Sequence, residues 1–493
     1  MTVYSRRGFL KAAGAAAAAA LLPRALAAAE GGGKRLNFVF ILMDDLGQRD
    51  VGCFGSTFYE TPSIDRLAAE GMRFTSGYAA CPVCSPTRAS IVAGKYPARV
   101  NITNFIPGMK SGKLFPPQYL HQLPLEEVTV AEAFKEAGYA TCFIGKWHLG
   151  AEPYWPEKQG FDVNIGGTSA GSPRSYFSPY KNPQLADGPP GEYLTDRLTD
   201  ETLKFIDAAK DKPFLVYLSH YAVHIPLQAK KDLAAKYEAK AAQLPPVEAK
   251  FIPEGNVKAR QVQDHPVYAA MVQSMDESVG RIMKKLDELG LADRTAVIFM
   301  SDNGGLSTAE GTPTSNVPLR AGKGWLYEGG IREPLIIKWP GVTKPGSTCD
   351  VPVTSTDFYP TMLEMAGLPL RPKQHVDGVS IVPLLRGGQS LPRQAIYWHY
   401  PHYANQGGSP GGAVRAGDYK LIEFYEDNHV ELYNLKDDLG EKNDLAARMP
   451  DKAKELRERL ARWRQEVGAR MPTPTPPAKQ AAASAAAEEA SGE

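Results

Sequence analysis

The sequence predicts an α/β fold: a large, mostly parallel central sheet flanked by helices, followed by a smaller antiparallel sheet and a helix. Three observations carry that reading. Strand-like apolar runs alternate with helical segments through most of the chain, the pattern of parallel strands joined by helical crossovers. Beyond about residue 368 the pattern changes to short alternating runs separated by turn residues. Four of the apolar runs also end in residues able to do chemistry, and open α/β sheets bind ligands beyond the carboxyl ends of their strands.

The first segment stands apart. Ser5-Arg6-Arg7-Gly8-Phe9-Leu10-Lys11 precedes the alanine-rich run Ala12–Leu22, and Ala25-Leu26-Ala27 supplies small residues for cleavage. Residues 1–27 resemble a twin-arginine export signal. The apolar run is too short to span a bilayer and is broken by Pro23 and Arg24, so no stable membrane insertion is expected. A bacterial protein is expected, folded in the cytoplasm and passed by the twin-arginine export machinery to the periplasm or the exterior.

The larger α/β region is placed at residues 36–367. Leu36–Met43 runs into Asp44-Asp45, and Ala140–Gly145 into Lys146-Trp147-His148. Phe214–Ser219 runs into His220 and His224, and Ala296–Ser301 into Asp302-Asn303. One edge of one sheet can therefore collect groups far apart in sequence.

Residues 368–470 are read as a second, smaller unit. Ala413–Ala416, Tyr419–Tyr425 and His429–Tyr433 read as hairpin strands, separated by Gly417-Asp418 and Glu426-Asp427-Asn428. A charged helix is predicted over Asp451–Val467. Residues 471–493 are mostly Pro, Ala, Ser and Glu with little to bury, and are expected to be disordered. The formal net charge of +1, without a basic run, argues against binding nucleic acid through its phosphates. Five cysteines are an odd number, and pairing is left undecided.

Cys81-Pro82-Val83-Cys84-Ser85-Pro86-Thr87-Arg88 carries the most information. Ser85-Pro86 reads as a helix start, with serine as cap and proline in the first turn, so Cys84 sits where unpaired backbone N–H groups point outward. Arg88, four residues on, shares that face and can neutralise charge at Cys84. Cys81 and Cys84 also form a C-x-x-C, open to reading as a redox pair or half a zinc knuckle. The remaining cysteines, Cys53, Cys142 and Cys349, are scattered singly, and no thioredoxin-like unit surrounds the pair.

With Gly145-Lys146-Trp147-His148-Leu149-Gly150, His224-Ile225-Pro226, Ser301-Asp302-Asn303-Gly304-Gly305, the run from Gly322 to Arg332 and Asp418-Tyr419-Lys420-Leu421-Ile422, this stretch resembles the type I sulfatase family over about residues 36–450. The resemblance implies an alkaline phosphatase-like fold and hydrolysis of sulfate monoesters. It implies that a maturation enzyme oxidises Cys84 to formylglycine, and that Asp44, Asp45, Asp302 and Asn303, together with the converted Cys84 itself, hold one divalent cation. Oxygen donors without imidazole or thiolate suit Ca2+, with Mg2+ possible. Arg88 would hold the formylglycine; Lys146 and Lys323 would bind sulfate. A hydroxyl of the hydrated aldehyde would attack sulfur with Asp302 as base. His224, assisted by Lys323, would protonate the leaving oxygen, and His148 would deprotonate the second hydroxyl to expel sulfate.

His220 matches no family role and is read as structural. Thr87 stands where serine is commoner but keeps the hydroxyl, and a serine that assists some relatives has no unambiguous match among Ser169, Ser172 and Ser175. Ser169–Tyr180 and Tyr397–Pro410 are rich in Tyr, Trp, His and Ser and are candidate sugar-lining loops. Sulfated carbohydrate is the expected substrate. The alternatives are an aryl sulfate, a phosphonate or phosphodiester substrate, or a non-catalytic glycan-binding relative.

Overall fold

The computed structural model describes residues 35–108 and 110–476. The expected signal segment and the end of the tail, from residue 477, lie outside the described residues. The strands of the main sheet are β1 Asn37–Met43, β2 Met72–Tyr78, β3 Ala140–Gly145, β4 Val163–Ile165, β5 Phe214–Ser219, β6 Thr295–Ser301, β7 Arg332–Lys338, β8 Ser347–Cys349 and β9 Val353–Thr354. Their order is β8-β2-β7-β6-β1-β5-β3-β4, with β9 also on β2. Every pairing is parallel except those of β7, which runs against β2 and β6. The expected sheet is present, mostly parallel, with one reversed strand.

β1 lies at its centre and is wholly buried, because parallel strands covered on both faces need apolar residues on each. Phe38, Phe40 and Leu42 face one core with Leu215, Tyr217, Ile298 and Met300. Val39, Ile41 and Met43 face the other with Val216, Leu218, Val297 and Phe299. Phe40, Tyr217 and Phe143 sit in register across β1, β5 and β3, with successive ring centroids 4.9 and 5.5 Å apart. Stacked rings of this kind add to the ladder and pin its register.

Helices cover both faces. α1 Cys84–Ala93, α2 Val130–Glu136 and α3 Phe358–Met365 line the first core, and α4 Leu194–Ala209 and α5 Pro266–Glu288 the second. No described helix is long and apolar enough to cross a membrane.

The C-terminal sheet is a meander of β10 Ile396–Tyr400, β11 Gly411–Ala416, β12 Tyr419–Phe424 and β13 Val430–Asn434. Its first strand is an addition to the sequence reading. Val414, Leu421 and Leu432 pack under Leu456, Leu460 and Trp463 of α6 Pro450–Glu466. Ile396, Trp398 and Ile422 pack against Tyr78, Trp325 and Ile331. Lys420 is fully buried there, its Nζ 2.9 Å from Glu328 and 2.8 Å from Glu441. The start of the tail departs from the expected disorder: Thr473–Pro474 pairs with Leu114–Phe115, and Thr475 donates to the Gly112 carbonyl at 2.7 Å.

Candidate active site

Main-chain pairing continues beyond the ends of the central strands. His220 N–H donates to Leu42 at 2.9 Å, Asp44 to Ala222 at 2.9 Å, Lys146 to Ser219 at 2.8 Å and Asp302 to Met43 at 3.1 Å. The residues after each strand are thus fixed by the sheet itself. Asp45 and His148 have φ of 60° and 57°, left-handed values that cost a residue with a Cβ and persist where the surroundings enforce them.

α1 begins at Cys84, two residues earlier than the sequence reading, with Val83 at the cap and no side-chain capping bond. Ser85 does not cap, because its hydroxyl instead accepts the Ile106 N–H at 3.1 Å. Cys84 is 2 % exposed, and its Sγ lies 3.3 Å from His148 Nδ1. His148 Nε2 meets the Ile106 carbonyl and must carry the hydrogen, so Nδ1 turns a lone pair toward Cys84. Burial, reinforced by Lys146, holds this imidazole well below its ordinary pKa. Burial also raises the Cys84 thiol, against the pull of Lys146 and Lys323.

Arg88 does not bond to Cys84. Its Nε donates to Asp302 Oδ2 at 2.9 Å, and Nη1 to the Lys146 carbonyl at 2.8 Å and Ser219 Oγ at 2.5 Å. Lys146 Nζ lies 2.6 Å from Asp44 Oδ2, and Lys323 Nζ 2.8 Å from Asp45 Oδ2. His224 Nε2 is 3.6 Å from that same Asp45 oxygen. Asn303 Nδ2 donates to Asp45 Oδ1 at 2.7 Å.

Lys323 reaches the site through a glycine turn. A Cβ at Gly322 would overlap the Gly305 carbonyl oxygen, and Gly324, at φ 83°, donates its N–H to the Pro82 carbonyl at 2.8 Å. That bond ties the Lys323 loop to the Cys84 loop.

Electrostatically the site is crowded. Burial pushes Asp44 up to about 8 against the attraction of Lys146, with Asp302 and Asp45 adding to the rise. Burial works on Asp45 too, but Lys323 and His224 outweigh it and hold that carboxyl below its usual range. Burial and Lys323 lower His224 to about 3. Asp44 Oδ1 and Asn303 Oδ1 are buried acceptors without a hydrogen-bond partner. Ligand atoms of Asp44, Asp45 and His224 lie within 4.8 Å of one another, whereas Asp302 is engaged by Arg88 and by the Asp45 N–H at 3.3 Å. A cavity of about 230 Å³ opens over Cys84, His148, His224 and Lys323.

The sequence model of the Sulfatase family matches residues 36–368. The chain belongs to the sulfatase family. A second model, N-sulphoglucosamine sulphohydrolase C-terminal, matches this sulfatase over residues 321–466, and the twin-arginine translocation signal model matches residues 3–23, marking it for export. It is 34 % identical to a sulfatase of Formosa agariphila, over 87 % of this chain and 88 % of that one. It is 33 % identical to the N-acetylgalactosamine-6-sulfatase of Mus musculus, over 78 % and 71 %. Ps i-CgsB, solved with k-i-k-neocarrahexaose, superposes with a TM-score of 0.72 at 29 % identity, covering 87 % of this chain and 93 % of its own. This sulfatase is a sulfate ester hydrolase.

Sequence reasoning missed Ser219, which anchors Arg88, and Glu310, which lines the cavity. Ser172, Asn405 and Gln406, which line it too, fall within the expected loops Ser169–Tyr180 and Tyr397–Pro410. Ser219 ends an apolar strand beside Lys146, a placement that was available from the sequence; Glu310 sits in an irregular loop with no such mark. His220 is buried away from the cavity, its Nε2 3.0 Å from Ser278 Oγ, in keeping with a structural role.

Proposed function

We propose that this sulfatase hydrolyses sulfate monoesters of a carbohydrate, using a formylglycine formed from Cys84 and one divalent cation, Ca2+ or Mg2+. The observation that carries the reading is the ring of Arg88, Lys146, His148, His224 and Lys323 around a buried Cys84 at the carboxyl edge of the sheet. Asp44, Asp45, Asp302 and Asn303 would hold the cation. The orphaned Asp44 and Asn303 oxygens fit it, since buried acceptors call for a partner and hard oxygen donors suit such an ion.

The hydrated aldehyde formed from Cys84 would supply one hydroxyl for attack on sulfur and a second whose deprotonation would release sulfate. Around it, Lys146 and Lys323 neutralise the sulfate oxygens, stabilising charge in a water-poor site. Arg88 orients Asp302, the base for the attacking hydroxyl. His148, with Nδ1 free toward position 84, takes the later proton. His224, neutral in the free protein, gains its proton when the anionic substrate offsets the lysines, and passes it to the leaving oxygen.

Carbohydrate is favoured by the polar cavity wall of Ser172, Glu310, Asn405 and Gln406, and by relatives named for, or solved with, sugars. Mass spectrometry of the peptide spanning residues 74–88 is expected to show the thiol-to-aldehyde change, and Cys84→Ala to abolish sulfate release from sugar esters. Unmodified cysteine in fully active protein would overturn the mechanism, and preferred phosphodiester turnover would overturn the substrate class.

A further inference from the structure

A second cavity of about 220 Å³ lies beside the catalytic one, with Trp155, Ser169, Arg174, Lys181, Asn182 and Tyr221 in its wall. Ser172 lines both cavities. Its neighbour Gly171 is packed so closely on the His148 ring that a Cβ would press into it. The segment 168–172 is therefore a thin partition between the reacting centre and this second space.

Two cations on its wall are uncommitted. The exposed side chains of Arg174 and Lys181 make no hydrogen bond or ion pair among the described residues. Arg197 and Lys230, by contrast, are engaged, Arg197 with Glu192 and Glu201 and Lys230 with Asp196 and Glu277. The nearby Asp187 carboxylate is turned to the Tyr180 and Lys181 backbone N–H groups, at 2.5 and 3.1 Å. Free cations, an indole and uncommitted hydroxyls on one concave wall are the chemistry of an anionic sugar, held by charge-assisted hydrogen bonds and ring contact. The catalytic cavity's own wall carries Glu310, hydrogen-bonded by Gln406 at 2.5 Å, and a carboxylate there repels a second anion.

We propose that the Arg174–Lys181 cavity is a subsite for a second anionic group, sulfate or carboxylate, on the sugar next to the one being desulfated. The substrate is then an oligosaccharide charged on successive residues, oriented with its next anion toward Arg174 and away from Glu310. This rests on the carbohydrate reading above.

The test compares wild type with Arg174→Ala/Lys181→Ala, in the full mature chain, on tetrasaccharides from heparin, chondroitin sulfate and carrageenan and on 4-nitrophenyl sulfate. The aryl ester is too small to reach the cavity and reports the chemistry alone. On the tetrasaccharide that wild type hydrolyses best, kcat/KM is expected to fall about 10- to 100-fold, as suits the loss of two charge-assisted contacts. Added salt should shrink that difference, Arg174→Lys should keep most of the wild-type value, and aryl turnover should stay within about twofold. Equal turnover of a tetrasaccharide by both proteins overturns the subsite while sparing the carbohydrate reading. Aryl turnover with no tetrasaccharide hydrolysed overturns the carbohydrate reading, and the subsite with it.

Discussion

Lys420→Met should destabilise the protein by about 3–5 kcal/mol, the range for breaking a buried ion pair and leaving its partners uncompensated. Lys420, Glu328 and Glu441 are all buried, and Lys420 is the only cation bonded to the Glu441 carboxylate among the described residues. Glu328 keeps Arg332 at 3.1 Å and the Tyr78 hydroxyl at 2.7 Å. The Glu441 carboxylate keeps only the Glu328 N–H at 2.6 Å, so the loss falls mainly on Glu441. Unfolding entropy of about 2 cal/mol/K per residue over roughly 440 ordered residues gives about 0.9 kcal/mol/K. The expected drop in Tm is therefore about 3–6 °C by differential scanning calorimetry. Lys420→Met/Glu441→Gln removes the orphaned charge while Gln still accepts the Glu328 N–H, and should recover at least half of the loss. A single variant within about 1 °C of wild type, or a double variant no better than the single, would refute the reasoning.

Three further outcomes follow from the geometry. Chelation by EDTA should lower Tm by about 3 °C and abolish sulfate release, and Ca2+ or Mg2+ should restore both; this corresponds to about 2.7 kcal/mol for an ion present at a hundredfold its Kd. Arg88→Lys retains the charge but loses the fork that spans Asp302, the Lys146 carbonyl and Ser219, and should cut kcat/KM by about 10²–10³ in sulfate-release assays. His220, lowered by burial to about 3, is neutral in the fold and takes up protons only on unfolding below its ordinary value near 6.5, so its contribution is lost as pH falls. At pH 5 that loss is about 2 kcal/mol, and Tm should decline less steeply from pH 7.5 to 5 in His220→Asn.

The legible part of the site was the part attached to strands. Asp44-Asp45, Lys146, His224 and Asp302-Asn303 follow unbroken apolar runs, and continuous burial on both sheet faces is what makes such runs readable. β2 escaped notice because Arg73 and Thr75 alternate into its apolar positions, and β7 because Glu333-Pro334 interrupts it. Lys323 was placed by resemblance alone, since what positions it is a glycine turn held by the Pro82 carbonyl, a contact between segments some 240 residues apart. Arg88 was read beside Cys84 from helical spacing, and what spacing could not show is that the folded sheet also brings Asp302 and Ser219 within its reach.

The central position of β1 sets a clock on biosynthesis. The Asn37 side chain reaches Thr295, 258 residues later. At about 5–20 residues per second, a ribosome needs roughly 13–50 s to make that partner after β1 has emerged. Seven consecutive buried residues, Asn37–Met43, wait through that interval with an unpaired edge. Secretion as an unfolded thread would carry that sticky segment across the membrane before its neighbours existed. A twin-arginine leader, which passes finished proteins, lets the strand be enclosed first.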